Sequence, residues 1–496
     1  MRILNADGLC SHGNVAGRKH MVEILEAGLQ AADPYHNVRK LMRVEDGCLR
    51  IGHPLFEPGG SPRTGEEVFD LNRVGKIYVV GAAKGVQYGA KAIEDVLGDR
   101  LSGGHVIAKH GDEPLLERIG VTYGAHPVPD EGCVRGCQEI LKILDAVKPE
   151  DLVITIVGNG VSALLTLPVE GVSLEDVRQI TYMMQIEKGA PTEDLNPVRN
   201  HLDQMKGGQI SRRLRHVRAI HLLMFDANDF IYPRDIPRSA RYGYYHLMHR
   251  NLWLHTLPDF TTFQDAVAML KKWGVWERTP EAARRYLLTA GPERETVKCA
   301  EFEQWNHRIY GVMPKELGVL AAAAAKAAEL GYTPHILSRF LQAEASQAGY
   351  TIADIAKTVE RDGTPFEPPC ALLSSGELLV TVGTERGVGG RNQEFALAAA
   401  RRIRGSAGIV VGAVDTDGTD GPGGQFWAGE RAVPCLGGGL VDGQTALEAE
   451  AAGIDLHAAL SHHDTSAALW ALNCGVHISQ NISLGDLDVM LIQKQD

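Results

Sequence analysis

This sequence predicts a two-domain α/β protein, and three observations carry the prediction. At 496 residues the chain is too long for one ordinary core. Strand-like apolar runs alternate with helix-like stretches of about 10 to 15 residues, which indicates βαβ units and a mostly parallel sheet covered on both faces. A second alternation opens near Gly318, after a middle segment without a clear period. The expected division is 1–312 and 313–496.

The elements of the first half follow in order. "KIYVVGAAKG" (76–85) is an apolar strand ending in a Gly-flanked turn, and "VQYGAKAIEDVLG" is a helix stopped by Gly98. The strand "GHVIAKHG", the helix "CVRGCQEILKILDAV", the strand "DLVITIV" and the strand "VRAIHLLMFD" come next. Ligands of such sheets gather at the carboxyl ends of strands. Lys84, the segment Gly158 to Ser162, and Asp226 each fall just past one.

The middle, 228–255, is rich in Arg, Tyr and His: Arg234, Arg238, Arg241, Tyr244, Tyr245, His246 and His249. It reads either as an insertion that enlarges a site or as a surface lid or interface. "TTFQDAVAMLKKWGVW" and "TPEAARRYLL" read as surface helices. In the second half "GVLAAAAAKAAELGY" is a helix closed by Gly331 and "TPHILS" a strand. "CALLSSGELLVTV" predicts two short strands around Ser375-Gly376. "NQEFALAAARRIR" is a helix, "AGIVVGAVDTDGTDG" a strand entering an acidic loop, and "LDVMLI" a final strand.

Composition narrows the function class. The net charge of −12 argues against nucleic-acid or anionic-membrane partners, which are held by clustered Lys and Arg. No run approaches 18 apolar residues, and the start lacks a charged segment followed by an apolar one, so a cytoplasmic location is expected. The eight cysteines are scattered without a C-x-x-C pair and read as free thiols. "HHD" at 462–464 has no spaced third ligand and reads as solvated or capping.

Three loops offer chemistry. Gly158-Asn159-Gly160-Val161-Ser162-Ala163 fits G-x-G-x-x-A, but Pro168 and Gly171 break the following helix and the next strand begins near 217. That spacing fails for a dinucleotide site and leaves open a phosphate held by backbone N–H groups or a plain turn. In "GVGGRNQEF" (387–395) three glycines precede Arg391, whose donor fork suits carboxylate or phosphate. Asp415, Asp417 and Asp420 in "DTDGTDGP" suit Mg²⁺ or ordinary Asp-Gly turns.

Taken in order, "AADPYHNVRK" (31–40), "VVGAAKG" (79–85), "HPVPDEG" (126–132), "NPVRNHLDQMKGG" (196–208), "PDFTTFQDAVAMLKKWG" (258–274), "LSSGELLVTV" (373–382), "GGRNQEFALAAA" (389–400) and "TDGTDGP" (416–422) resemble the glycerate 2-kinase family, whose C-terminal half is the MOFRL domain. The resemblance implies a Rossmann-like N-terminal domain with a parallel sheet, an α/β MOFRL domain, and an active site in the cleft between them. It implies ATP as co-substrate, Mg²⁺, and a small anionic hydroxy acid as substrate, phosphorylated on a hydroxyl. Lys84 and Arg391 then correspond to the family's basic catalytic pair. Gly158, Asn159, Gly160, Ser162 and Lys206 are expected at nucleotide or phosphate. Arg199, His201, Glu377 and Asn392 are expected at substrate, and Asp226, Asp417 and Asp420 at metal.

The departures fall on loops. The family's S-G-G-G-S becomes "GNGVS" at 158–162, its S-G-P-T becomes "WLHT" at 253–256, and its G-P-T-G-T-N-V-N-D becomes "ISQNISLGD" at 478–486. Two further readings therefore stand beside the kinase. One is a homologue that isomerises or epimerises a hydroxy or keto acid without phosphoryl transfer. The other is the NAD(P)-dependent hydroxypyruvate reductase of older naming. A homodimer is one assembly the chain could form.

Overall fold

The computed structural model describes residues 1–230, 236–238, 241–482 and 484–494. They form two compact units, one of Pro34–Pro314 and one combining Met1–Asp33 with Lys315–Asp496.

The unit Pro34–Pro314 is built on a six-stranded parallel sheet. Its order is Gly120–Gly124, Gly103–Lys109, Ile77–Ala82, Leu152–Val157, Arg218–Leu223, His307–Gly311. Numbered along the chain this is 3-2-1-4-5-6, the doubly wound order, with its switch point between Ile77–Ala82 and Leu152–Val157. Every residue of Leu152–Val157 is buried, as a central strand with both faces covered requires. Helix Glu131–Ala146 shares a core with Val80, Val153 and Val157. Gly89 of helix Val86–Leu97 sits against Ile156, which alternation points to the opposite face. A satellite core of helices Leu174–Thr181, Thr192–His201, Phe263–Lys272 and Glu281–Thr289 adjoins this sheet in sequence and carries Arg199. A small antiparallel sheet, Met42–Glu45, Cys48–Ile51 and Glu67–Asp70, completes the unit's strands.

The other unit holds a mixed sheet ordered Thr333–Leu341, Cys370–Gly376, Asp486–Ile492, Ile409–Asp415, Gly438–Asp442, Gly475–Val476. Its first two strands are parallel and the remaining pairs antiparallel. On Asp486–Ile492, Leu487, Val489 and Leu491 face helices Val15–Ala31 and Val319–Glu329, while Met490 and Ile492 face Ala345–Asp362 and Arg391–Arg402. Helix Val15–Ala31 explains why the expected 1–312 boundary differs from the spatial one. Met21, Ile24, Leu25 and Leu29 cover one face of this sheet, and Arg18 pairs with Asp442 at 2.6 Å inside it.

"CALLSSGELLVTV" forms one strand, Cys370–Gly376, rather than two. Beyond Gly376 the chain pairs only singly, Leu379 with Glu344, and Glu344 also accepts hydrogen bonds from Thr381. All eight cysteines are free, with Cys133, Cys137, Cys370 and Cys474 buried. Among the described residues no helix is long and apolar enough to cross a membrane.

Candidate active site

At the switch point of the parallel sheet two loops meet. The backbone N–H of Lys84, two residues past Ile77–Ala82, donates to the carbonyl of Asn159 at 2.8 Å. Gly160 makes the approach possible: its φ is +84°, and a Cβ there would lie 2.9 Å from Lys84 Cγ. The helix after this loop is Val161–Leu164, a single turn, and it follows the fourth strand along the chain rather than the first. A dinucleotide fingerprint needs a full helix on the first strand, so G-x-G-x-x-A here is a turn motif.

Over this loop lies a cavity of about 240 Å³, lined by His126, Asn159, Gly160, Ser162, Gln185, Arg199 and Trp253 among others. Arg199 is only 7% exposed. Its side chain bonds neutral Gln185, Nη2 donating to Oε1 at 3.0 Å, and burial alone draws the guanidinium down to about 10. Burial, then the positive charges of Lys84, Lys109 and Arg199, pull the His126 imidazole down to about 4. Glu193 brings a carboxylate to the lining, against the positive charges of Arg199, Lys84 and Lys109 and a neutral His126, so the setting still favours an anion.

Ser162 Oγ lies 2.9 Å from His255 Nε2 and accepts from Asn196 Nδ2 at 3.4 Å. Burial, then Lys206 and Arg199, keep His255 well below the usual histidine range.

Two expected ligand contacts are replaced by structural ones. Lys206, 1% exposed, donates to Asp203 Oδ2 at 2.6 Å and to Thr166 Oγ1 at 2.9 Å, so it is an internal ion pair rather than a phosphate contact. His201, 2% exposed, bonds the Pro197 carbonyl at 2.7 Å and Glu295 Oε1 at 2.6 Å, and its ring packs on Phe263. Burial opposes the ionisation of Glu295, yet His201 holds its carboxyl down at about 2. Asp226 accepts from the Asn228 N–H at 2.8 Å in the turn after Arg218–Leu223.

The middle insertion reaches the cavity by its end. Trp253 lines the wall and His255 holds Ser162. Arg238, Arg241, Tyr244, Tyr245, His246 and His249 do not line it; Tyr244 bonds Glu303, Arg241 bonds the Ile236 carbonyl, and His246 stacks on Phe230 at 3.7 Å. Arg234 lies outside the described residues.

In the other unit a cavity of about 300 Å³ is lined by Glu377, Gly389, Gly390, Arg391, Asp420 and His463 among others. Arg391 opens helix Arg391–Arg402 and is ringed by carboxylates: Asp415 at 2.7 Å, Asp486 at 2.8 Å, Glu377 at 3.5 Å. Burial draws its guanidinium down, and Asp486 and Asp415 more than reverse this. Asp420 accepts the N–H groups of Asn392 (3.1 Å) and Gln393 (2.9 Å), and burial pushes its carboxyl up to about 6. A side chain at Gly390 would strike that carboxylate, its Cβ 2.4 Å from Cγ.

Asn392 is fully buried, bonding Asp420 and Asp486 through Nδ2 rather than facing the cavity. Asp420 therefore serves the helix start, where metal ligation was expected. Among the described residues no group of three or more His, Cys, Asp or Glu is set to hold a metal ion. In "HHD", His462 bonds Glu385, His463 bonds Glu394, and Asp464 accepts from the Val388 N–H.

Residues 20–229 match the model of a domain of unknown function, DUF4147, and residues 370–481 match the MOFRL family. The glycerate 2-kinase of Pyrococcus horikoshii is 31% identical over 448 residues, 90% of this chain and 91% of that one. The chain belongs to the glycerate 2-kinase family. A second member, the D-glycerate 2-kinase of Thermotoga maritima, is 32% identical over 82% of this chain and 88% of its own length. The crystal structure of a glycerate kinase from Thermotoga maritima aligns with a TM-score of 0.74 at 28% identity, covering 96% of this chain and 99% of that one. The members so named are phosphotransferases, and the two-domain α/β architecture is theirs as well.

Within this family frame, sequence reasoning passed over His126, Lys109, His255 and Asp486. His126 stands in the family-like segment 126–132, while His255 and Asp486 stand in departures from the family pattern. Lys109, at the end of Gly103–Lys109, was open to the same strand-end rule that selected Lys84.

Proposed function

We propose that this chain transfers a phosphoryl group from ATP, with Mg²⁺, to a hydroxyl of glycerate or a larger polyhydroxy acid. The observation that carries the reading is Arg199: a buried cation with no carboxylate partner among the described residues, in a cavity lined also by Glu193 and made more positive by Lys84 and Lys109. A buried charge without a counter-ion costs several kcal/mol, and an anionic ligand offsets that cost. Phosphoryl transfer relies on positioning and charge neutralisation rather than on a strong base. Lys84 and Arg199 hold and orient the acid, and neutral His126 offers it a hydrogen bond. In the other unit Arg391 is fixed by Asp415 and Asp486, and its Nη1 lies 3.5 Å from Glu377.

Mg²⁺ binds one or two carboxylates together with substrate phosphates. In the acidic loop the half-buried Asp417 fits that role, since Asp415 and Asp420 are buried and already paired. Bound there, the ion would neutralise phosphate charge.

The deciding experiment incubates purified protein with ATP and Mg²⁺ and a panel of aldonic acids from glycerate to gluconate, read by phosphorus NMR. A new phosphate monoester resonance with at least one acid is the expected result, and none with any acid overturns the reading. A reading without phosphoryl transfer draws on one observation, the neutralisation of Arg391 by three carboxylates. A calorimetric isotherm for ATP with Mg²⁺ would count against it.

A further inference from the structure

The end of the insertion is a built turn. Asn251 is buried, its Nδ2 donating to the carbonyls of Leu254 (3.1 Å) and Pro258 (2.8 Å) and its Oδ1 accepting from the Leu254 N–H (2.9 Å). That turn delivers His255, 1% exposed, to Ser162 Oγ.

A serine hydroxyl has two lone pairs and one proton. Asn196 Nδ2 donates to one lone pair. Among the described residues His255 Nδ1 is buried with no hydrogen-bond partner. A proton on Nδ1 would be an orphaned buried N–H, the rarest kind of unsatisfied group, whereas a proton on Nε2 leaves only a lone pair unmet. The buried ring is neutral, so it carries one proton, and this comparison puts it on Nε2. Both lone pairs of Ser162 are then filled, and its proton is free to point into the cavity that Arg199 also lines.

We infer that His255 is a positioning residue that commits Ser162 to donate a hydrogen bond into the cavity, so that Ser162 and Arg199 together read one anionic oxygen group, a carboxylate or a phosphate. The ligand half of this inference rests on the proposed kinase reading; the tautomer half does not. The pairing is this chain's own, since Ser162 keeps the closing Ser of the family's S-G-G-G-S while His255 stands where its S-G-P-T has Pro.

The test has two arms. Imidazole nitrogen-15 NMR, with the His255 signal assigned by its loss in His255→Gln, reads the tautomer directly. A neutral ring protonated on Nε2 is expected near pH 7; protonation on Nδ1, or an imidazolium, overturns the inference whether or not the protein phosphorylates anything. Steady-state kinetics with the acid and ATP form the second arm. Ser162→Ala and His255→Phe are each expected to raise one KM by roughly 10-fold, with kcat changed less and the double variant no worse than either single one. His255→Gln, which keeps an N–H donor, is expected to restore most of that loss. A raised KM for the acid identifies a carboxylate, and a raised KM for ATP identifies a phosphate. His255→Phe leaving both KM values unchanged in a folded protein overturns the positioning role.

Discussion

A guanidinium buried with a neutral amide as its hydrogen-bond partner destabilises the fold and draws anions, so Arg199→Met has two opposite expected effects. The KM for the acid should rise roughly 10- to 100-fold, since hydrogen bonds to charged groups are worth about 1.5–3 kcal/mol. The urea midpoint should stay level or rise, because replacing a buried, uncompensated charge with an apolar side chain is neutral or stabilising. A fall in both activity and stability would make Arg199 a structural residue. Lys206→Met, seven residues along, should do the reverse. It strands the buried Asp203 carboxylate and is expected to cost about 3–5 kcal/mol in urea unfolding. In the sequence the two cations stand in one motif, "NPVRNHLDQMKGG", and nothing local separates them. What separates them is the Asp203 carboxylate at 2.6 Å from one and the neutral Gln185 amide bonded to the other.

At the scale of elements, turn and helix signals were legible because they act over a few residues. "KIYVVGAAKG" and "VQYGAKAIEDVLG" became Ile77–Ala82 and Val86–Leu97 as periodicity and Gly98 required. The glycines of two loops carry the next prediction. Gly160→Ala forces a left-handed residue against Lys84 and is expected to cost about 1–2 kcal/mol in urea unfolding and to lower kcat/KM by displacing that lysine. Gly274, with φ +66° and open space around it, is the control: Gly274→Ala carries the same backbone strain and should leave kcat/KM unchanged. Equal loss in both would remove the special role of the 158–160 loop. The helix Arg391–Arg402 teaches the opposite lesson about "TDGTDGP". Three close aspartates suggested metal, yet Asp420 caps a helix some thirty residues earlier in the chain. A carboxylate's partner across that separation leaves no local mark.

For the whole molecule, buried histidines of one unit and buried aspartates of the other titrate with opposite sign. In Pro34–Pro314, burial draws His126, His246 and His307 down to about 4, below the unfolded value near 6.5. Their stability is present above pH 6.5 and is lost as pH falls through about 4. In the other unit burial pushes Asp420 up to about 6, above its unfolded 3.8, and raises Asp415 and Asp488. That stability is present below pH 3.8 and is lost as pH rises through about 6. Between about pH 4 and 6, acidification should weaken the first unit and strengthen the second. Calorimetry at about pH 5 and pH 7.5, with proteolytic fragments identified by mass, checks this; transitions that shift in the same direction would contradict it. Sequence by itself determined the α/β class, the parallel sheet of the first half, the family and the strand-end loops, because periodicity, glycine turns and ordered motifs are written in short windows. Only the tertiary structure decided that helix Val15–Ala31 completes the C-terminal unit, that Lys206 and His201 are internal pairs, and that His255 reaches Ser162. Each of those depends on which distant side chain arrives within hydrogen-bonding or packing distance, and the order of residues along a chain does not state that.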